Sequence, residues 1–251
     1  MSEEFKERRW HWWLSRVVVP SLVAVVALGG LLYVNRDKPR DDEAPTSMAS
    51  SNERCSSDHS GADAVWGPDR PTVGPSDYSQ TPSFNIERDN PHHGDERNFV
   101  QIKESSHVQA GAWADQLEVR AGHEYFVRVL LHNGARDGDE YVAKDTRVEI
   151  DLPLCSGRSI ALQAVISSSN AFPQKIWDGV VLRSAEPFKV DIVPGSARLL
   201  SNKYPNPGLL LPDRVATADG TLVGSQAADG NFRRDYANDA DVVITVRVLS
   251  A

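Results

Sequence analysis

The sequence predicts an all-β protein, an antiparallel β-sandwich held behind an N-terminal transmembrane helix and a disordered linker. Three observations carry this. The run from Val17 to Val34 holds 18 residues without a charge. The stretch after it is polar and nearly free of large apolar residues. Beyond residue 98, short segments alternate apolar and polar residues between turn signals, and no amphipathic helical pattern competes with them.

The apolar run, VVVPSLVAVVALGGLLYV, spans roughly 27 Å as a helix, close to the ~30 Å hydrocarbon core of a bilayer. A helix satisfies every backbone N–H and C=O within one segment, which lipid demands. Pro20 falls in its first turn, where a missing N–H is tolerated. Trp10, Trp12 and Trp13 precede it at the depth that suits amphipathic rings. Lys6, Arg8, Arg9 and Arg16 flank it on one side and Arg36, Lys38 and Arg40 on the other. That charge bias is slight, so the orientation follows from the short tail: residues 1–13 are read as cytoplasmic, 14–34 as the membrane helix, and everything after as exported. A cleavable signal peptide with a small-x-small site at Ala27-Leu28-Gly29 is the rival. The apolar run continues past that site and exceeds the usual roughly 7–15 residues, which favours an uncleaved anchor in the cell membrane.

Residues 35–63 read as a disordered linker, too poor in apolar side chains to offset their own ordering entropy. Net charge is −8 over the 251 residues. The first 16 residues hold four Lys/Arg and three Asp/Glu, leaving 23 positive and 32 negative beyond the anchor, a net −9. An acidic exported part argues against nucleic acid or any polyanion as partner. The two cysteines, Cys55 and Cys155, exclude a disulfide framework or a cysteine zinc site in the core. Cys55 could pair with Cys155 or with another chain; an unconstrained thiol is the plainer reading.

The exported domain is placed at residues 64–251, beginning with an irregular segment. Trp66-Gly67-Pro68, Pro71, Pro82 and Asn90-Pro91 punctuate 64–95 with turns, and Trp66, Tyr78 and Phe84 offer anchors along the surface of a core. Strands are expected at 98–103, 123–132, 142–152, 159–167, 179–183, 188–193 and 241–249. In the second, Tyr125, Val127, Val129 and Leu131 share a face; in the third, Val148, Ile150 and Leu152 do, against Arg147, Glu149 and Asp151. The second and third are expected to pair as neighbours. About seven short strands at this spacing suit a sandwich.

Residues 117–153, a strand, Gly122, an alternating strand with Tyr125, Val127 and Val129, Asn133-Gly134, Ala143, then Val148, Leu152 and Pro153, resemble the conserved repeat domain of prokaryotic surface proteins. That resemblance implies an immunoglobulin-like sandwich. The stretches Trp66-Gly67-Pro68-Asp69-Arg70-Pro71-Thr72, Pro82-Ser83-Phe84-Asn85 and Asn90-Pro91-His92-His93-Gly94-Asp95-Glu96-Arg97-Asn98-Phe99-Val100, with the last strand after Asp229-Gly230, are similar to exported or membrane-anchored proteins of actinobacteria and related groups. Val73 and Gly74 depart from that pattern, which has an aromatic and a Thr there. The resemblance implies a fold and a location in the cell envelope, and no activity.

Candidate chemistry is sparse. His92, His93, Gly94, Asp95, Glu96 and Arg97 could form a metal or acid–base site, but neighbours in an extended segment point to opposite sides. The preferred reading makes Asp95 and Glu96 turn caps and Arg97 an ion-pair partner. Asp235, Asn238, Asp239 and Asp241 offer oxygen ligands for calcium without the spacing of a helix–loop–helix calcium site; a solvated acidic loop is preferred. Motifs for a serine elbow, a zinc protease and a phosphate loop are lacking. Trp177, between Lys175 and Asp178, suits a carbohydrate face or, more simply, a core or edge position. No cofactor is expected. The function read from sequence is a membrane-tethered module that binds an envelope protein or polymer, or is structural; a surface hydrolase is the alternative.

Overall fold

A computed structural model describes residues 54–234 and 239–251. The tail, the Val17 to Val34 anchor and the linker as far as residue 53 lie outside the described residues. Among those described, no helix is long and apolar enough to cross a membrane.

The described chain is all-β, with two short 3-10 turns and no α-helix among these residues. Eleven strands join in one open, mainly antiparallel sheet: β1 (Cys55–Ser56), β2 (Val100–Glu104), β3 (Gln116–Glu118), β4 (Glu124–Leu131), β5 (Arg147–Asp151), β6 (Gly157–Ser167), β7 (Lys175–Ile192), β8 (Arg198–Ser201), β9 (Leu209–Leu210), β10 (Thr221–Leu222) and β11 (Ala240–Ser250). The path runs β10-β5-β6-β7-β11-β4-β2. β1 adds to β6, β8 and β9 continue from β11, and β3 lies parallel to β7.

Period-two alternation accounts for the central strands. Tyr125, Val127 and Val129 of β4 are buried while Glu124, Phe126 and Arg128 are half-buried. Ala240, Val242, Ile244, Val246 and Val248 of β11 form one buried row. They face the same core as Val148 and Ile150 of β5, and Phe84 meets Phe232 edge-on in it, with ring centroids 5.6 Å apart.

The two segments expected at 179–183 and 188–193 are one strand. β7 pairs with β6 from Lys175 to Arg183, shifts register, and then pairs Phe188 to Ile192 with β11. Pro187 sits in the shift, where its missing N–H interrupts no regular ladder.

Three further expectations are corrected. The strands at 123–132 and 142–152 are not neighbours: β4 lies between β2 and β11, and β5 between β10 and β6. Asn133-Gly134 resembles a hairpin turn, but the Asn133 side chain is spent on a buried crossing. It accepts from the Ser83 and Ala135 N–H groups and donates to the Tyr141 and Phe232 carbonyls. Phe84, expected along the surface, is inside the core.

The third correction concerns the end of the linker. Cys55 is bonded to Cys155 across 100 residues, and Cys55–Ser56 pairs with β6. Arg54 bonds Asp151. Ala62 and Ala64 then pack on Ala161 and Val181, on the face of β6 and β7 away from the main core. Composition hid this because the packing is by close approach of small residues. A Cβ on Gly179 would meet the Leu162 carbonyl at 2.4 Å and the Ala64 Cβ at 3.1 Å, so no larger side chain fits beneath the segment.

Candidate functional site

Glu87, Glu96, His132 and Asp239 converge where the segment 85–97 crosses the ends of β4 and β11. Asn85 begins the crossing. Its side chain donates to the Leu130 carbonyl and accepts the His132 N–H, both at 2.8 Å, while its own N–H bonds the His132 carbonyl. It holds φ at 51°, a left-handed conformation that Asn tolerates better than most residues.

Five residues on, Asn90 folds the segment back. Its Oδ1 accepts the N–H groups of His92 and His93 at 2.8 and 3.2 Å, and its backbone exchanges two hydrogen bonds with Gly94. Gly94 sits at φ 71°, as the reversal requires. The turn leaves Glu96 alongside Glu87, with the Glu96 N–H donating to the Glu87 carbonyl.

Glu96 points inward and is fully buried. Its carboxylate accepts from Asn90 Nδ2 at 2.8 Å, from the Glu87 N–H at 3.1 Å and from His132 Nδ1 at 2.8 Å. A carboxylate only accepts, so Nδ1 carries the proton. Burial alone would lower the His132 pKa, but the Glu96 hydrogen bond and charge outweigh it and the pKa is raised.

Glu87 is 2% exposed, and its Oε1 has no hydrogen-bond partner. Burial first, and then the Glu96 charge, raise its pKa. Asp239, at the entry to β11, is pushed up to about 7 by burial, with Glu96, Asp241 and Glu87 adding to the effect and His132 opposing it. Asp239 Oδ1 also lacks a hydrogen-bond partner. His93 is pushed down to about 4 by burial and by Arg128.

The motif residues singled out in the sequence are partly united here. Arg97 forks onto Asp95, with contacts of 2.6 to 3.1 Å, and lies 4.4 Å from the Trp66 ring. The Asp95 carboxyl is desolvated, yet these bonds hold its pKa below the usual range. Arg70 approaches Trp66 as well and is buried, donating to the Pro68 and Asn85 carbonyls. Burial lowers its pKa to about 10 although Asp178 opposes this. Gly67 exchanges backbone hydrogen bonds with Trp177, which is a core residue. Pro71 and Pro91 are exposed.

Asp95 caps a turn as expected, accepting the Arg97 N–H, but Glu96 is an interior acceptor. Asp235 and Asn238 lie outside the described residues. Asp239 and Asp241 do not act as a solvated loop: Asp241 lies 3.7 Å from Arg128 Nε, and Asp239 shares the field of Glu87, Glu96 and His132. No sequence motif points to Glu87 or His132, and Asn85 stands out only within the Pro82-Ser83-Phe84-Asn85 stretch. His132 was legible only as the polar end of an apolar strand.

One oxygen from each of Glu87 and Glu96 and one His132 ring nitrogen lie within 4.8 Å of one another. Such a group can hold a cation or share protons between carboxylates. A recess elsewhere, lined by Arg54, Asp63, Gln163 and Trp177, has about 30 Å³ of space, too little for an organic substrate. No family model, curated protein or solved structure matches the chain.

Proposed function

We propose that the chain is a membrane-tethered, extracytoplasmic module of the cell envelope, anchored through Val17 to Val34, whose role is binding or structural. The observation that carries this reading is the Cys55–Cys155 bridge. Disulfides form and persist in oxidising compartments and are rare in the cytosol. The apolar run precedes Cys55 by about 20 residues, which extended would reach no more than about 70 Å. The bridge then fixes the domain at the point where its tether arrives.

The finer fold reading is an immunoglobulin-like sandwich. Its support is the double pairing of β7, which gives β10-β5-β6-β7 as one leaf and β7-β11-β4-β2 as the other, with inward rows in a common core. Glu87, Glu96 and His132 are buried inside the fold, and a buried, hydrogen-bonded cluster suits a structural or binding role.

Protease added to intact spheroplasts tests location and orientation together. Cleavage before Cys55 is expected to release the domain, while the N-terminal remnant stays in carbonate-washed membranes. Protection of the domain until the membrane is lysed would overturn the proposed orientation.

A further inference from the structure

We infer that Glu87, Glu96 and His132 form a closed structural site for one divalent transition-metal ion of the zinc class. The site joins parts of the chain that are distant in sequence: the two ends of the 87–96 reversal and the residue following β4.

The donor set comes first. An imidazole nitrogen with carboxylate oxygens suits zinc and its neighbours better than calcium, which takes oxygen ligands. Spacing comes second. The three donor atoms lie within 4.8 Å of one another, and tetrahedral ligands about 2.0–2.2 Å from a zinc ion stand roughly 3.3–3.6 Å apart. The 2.8 Å contact between His132 Nδ1 and Glu96 Oε1 therefore has to open by about half an ångström around the ion. Metal binding would displace the Nδ1 proton to solvent.

The independent observation is Glu87. Its side chain is nearly inaccessible, yet Oε1 receives no hydrogen bond. A buried oxygen without a donor is costly, and an ion among these ligands would satisfy it. Of the cations whose charge reaches Glu87, His132 is engaged by Glu96, and Arg234 lies 5.1 Å from the Tyr78 ring without a hydrogen bond to the carboxylate. Asp239 interacts electrostatically with all three residues, and its Oδ1 has no partner. The second oxygen of either carboxylate can supply the fourth donor of a closed tetrahedral site.

The test uses the full chain in detergent, stripped with a chelator and titrated with Zn(II) against a competing chelator. One tightly bound ion per chain is expected. Glu87→Gln keeps the side-chain volume and breaks no side-chain hydrogen bond, and it should weaken zinc binding at least tenfold. His123→Gln is the control, because exposed Glu104, His107 and His123 are an obvious place for adventitious zinc; it should leave the tight site unchanged. Co(II) loading of the wild-type chain gives a readout that does not depend on any variant folding, and the intense visible bands of a four-coordinate ion are expected. Absence of a tight ion, equal affinity in wild type and Glu87→Gln, loss of the ion in His123→Gln, or only weak six-coordinate cobalt bands would overturn the assignment.

Discussion

Cys155→Ser is expected to lower the unfolding free energy by about 2–5 kcal/mol, among the largest effects of any single substitution in this chain. The bridge closes a loop of 100 residues, and in the chain-entropy account a closure of that length removes much of the freedom of the unfolded chain. Native structure is lost with it. The bridge holds the segment that pairs β1 with β6 and lays Ala62 and Ala64 over Ala161 and Val181. Small side chains bury little area, roughly 25 cal/mol per Å², so they cannot hold the segment alone. Cys55→Ser removes the same bond and should cost about as much, and the double substitution should add little to either. Denaturant unfolding of the full chain in detergent measures all three. Unchanged stability in either single variant would show that the bridge does not clamp the entry of the domain.

Ile150→Ala should cost a similar amount, about 2–5 kcal/mol, by deleting buried methyl groups and leaving a cavity. Ile150 is fully inaccessible, between Ala164 on β6 and the shared core. Glu149, one residue away, lies on the opposite pleat face and is half-buried, with its pKa raised by desolvation. Glu149→Ala removes no core packing and should change stability by less than about 0.5 kcal/mol. The contrast does not depend on which strands flank β5. Equal losses at the two positions would remove the strand from this segment.

What was legible in the sequence is what period two encodes. β4, β5 and β11 each bury one row of alternate residues, so inward residues can be named before their partners. Partner choice was not encoded in that way. Asn133-Gly134 carries the signature of a tight hairpin, yet the Asn133 amide serves four backbone groups of other segments. Only the fold brings those groups near. Glu186-Pro187 breaks alternation within β7, although the strand continues through a register shift.

The interior cluster was hidden for a related reason. Glu96 sits in a run of polar residues that reads as a surface turn, and its burial depends on Asn90 reversing the chain so that it meets Glu87 and His132. Nothing local distinguishes it from Asp95, which does cap a turn at the surface. Residues 54–63 read as linker because alanine, serine and glycine carry little hydrophobic signal, whereas their small volume is what lets them lie against the sheet.

The proposal that the domain is exported and clamped at its tether is tested most directly by the thiol state of the chain in intact cells. Cys55 and Cys155 are its only cysteines, so a maleimide reagent reads one bond. With membrane-permeant reagent and no reductant, no label should attach; after reduction two labels should attach, and an unreduced digest should contain the peptide pair joined through Cys55 and Cys155. Two labels before reduction would place the chain in a reducing compartment with an open entry segment and would contradict the account.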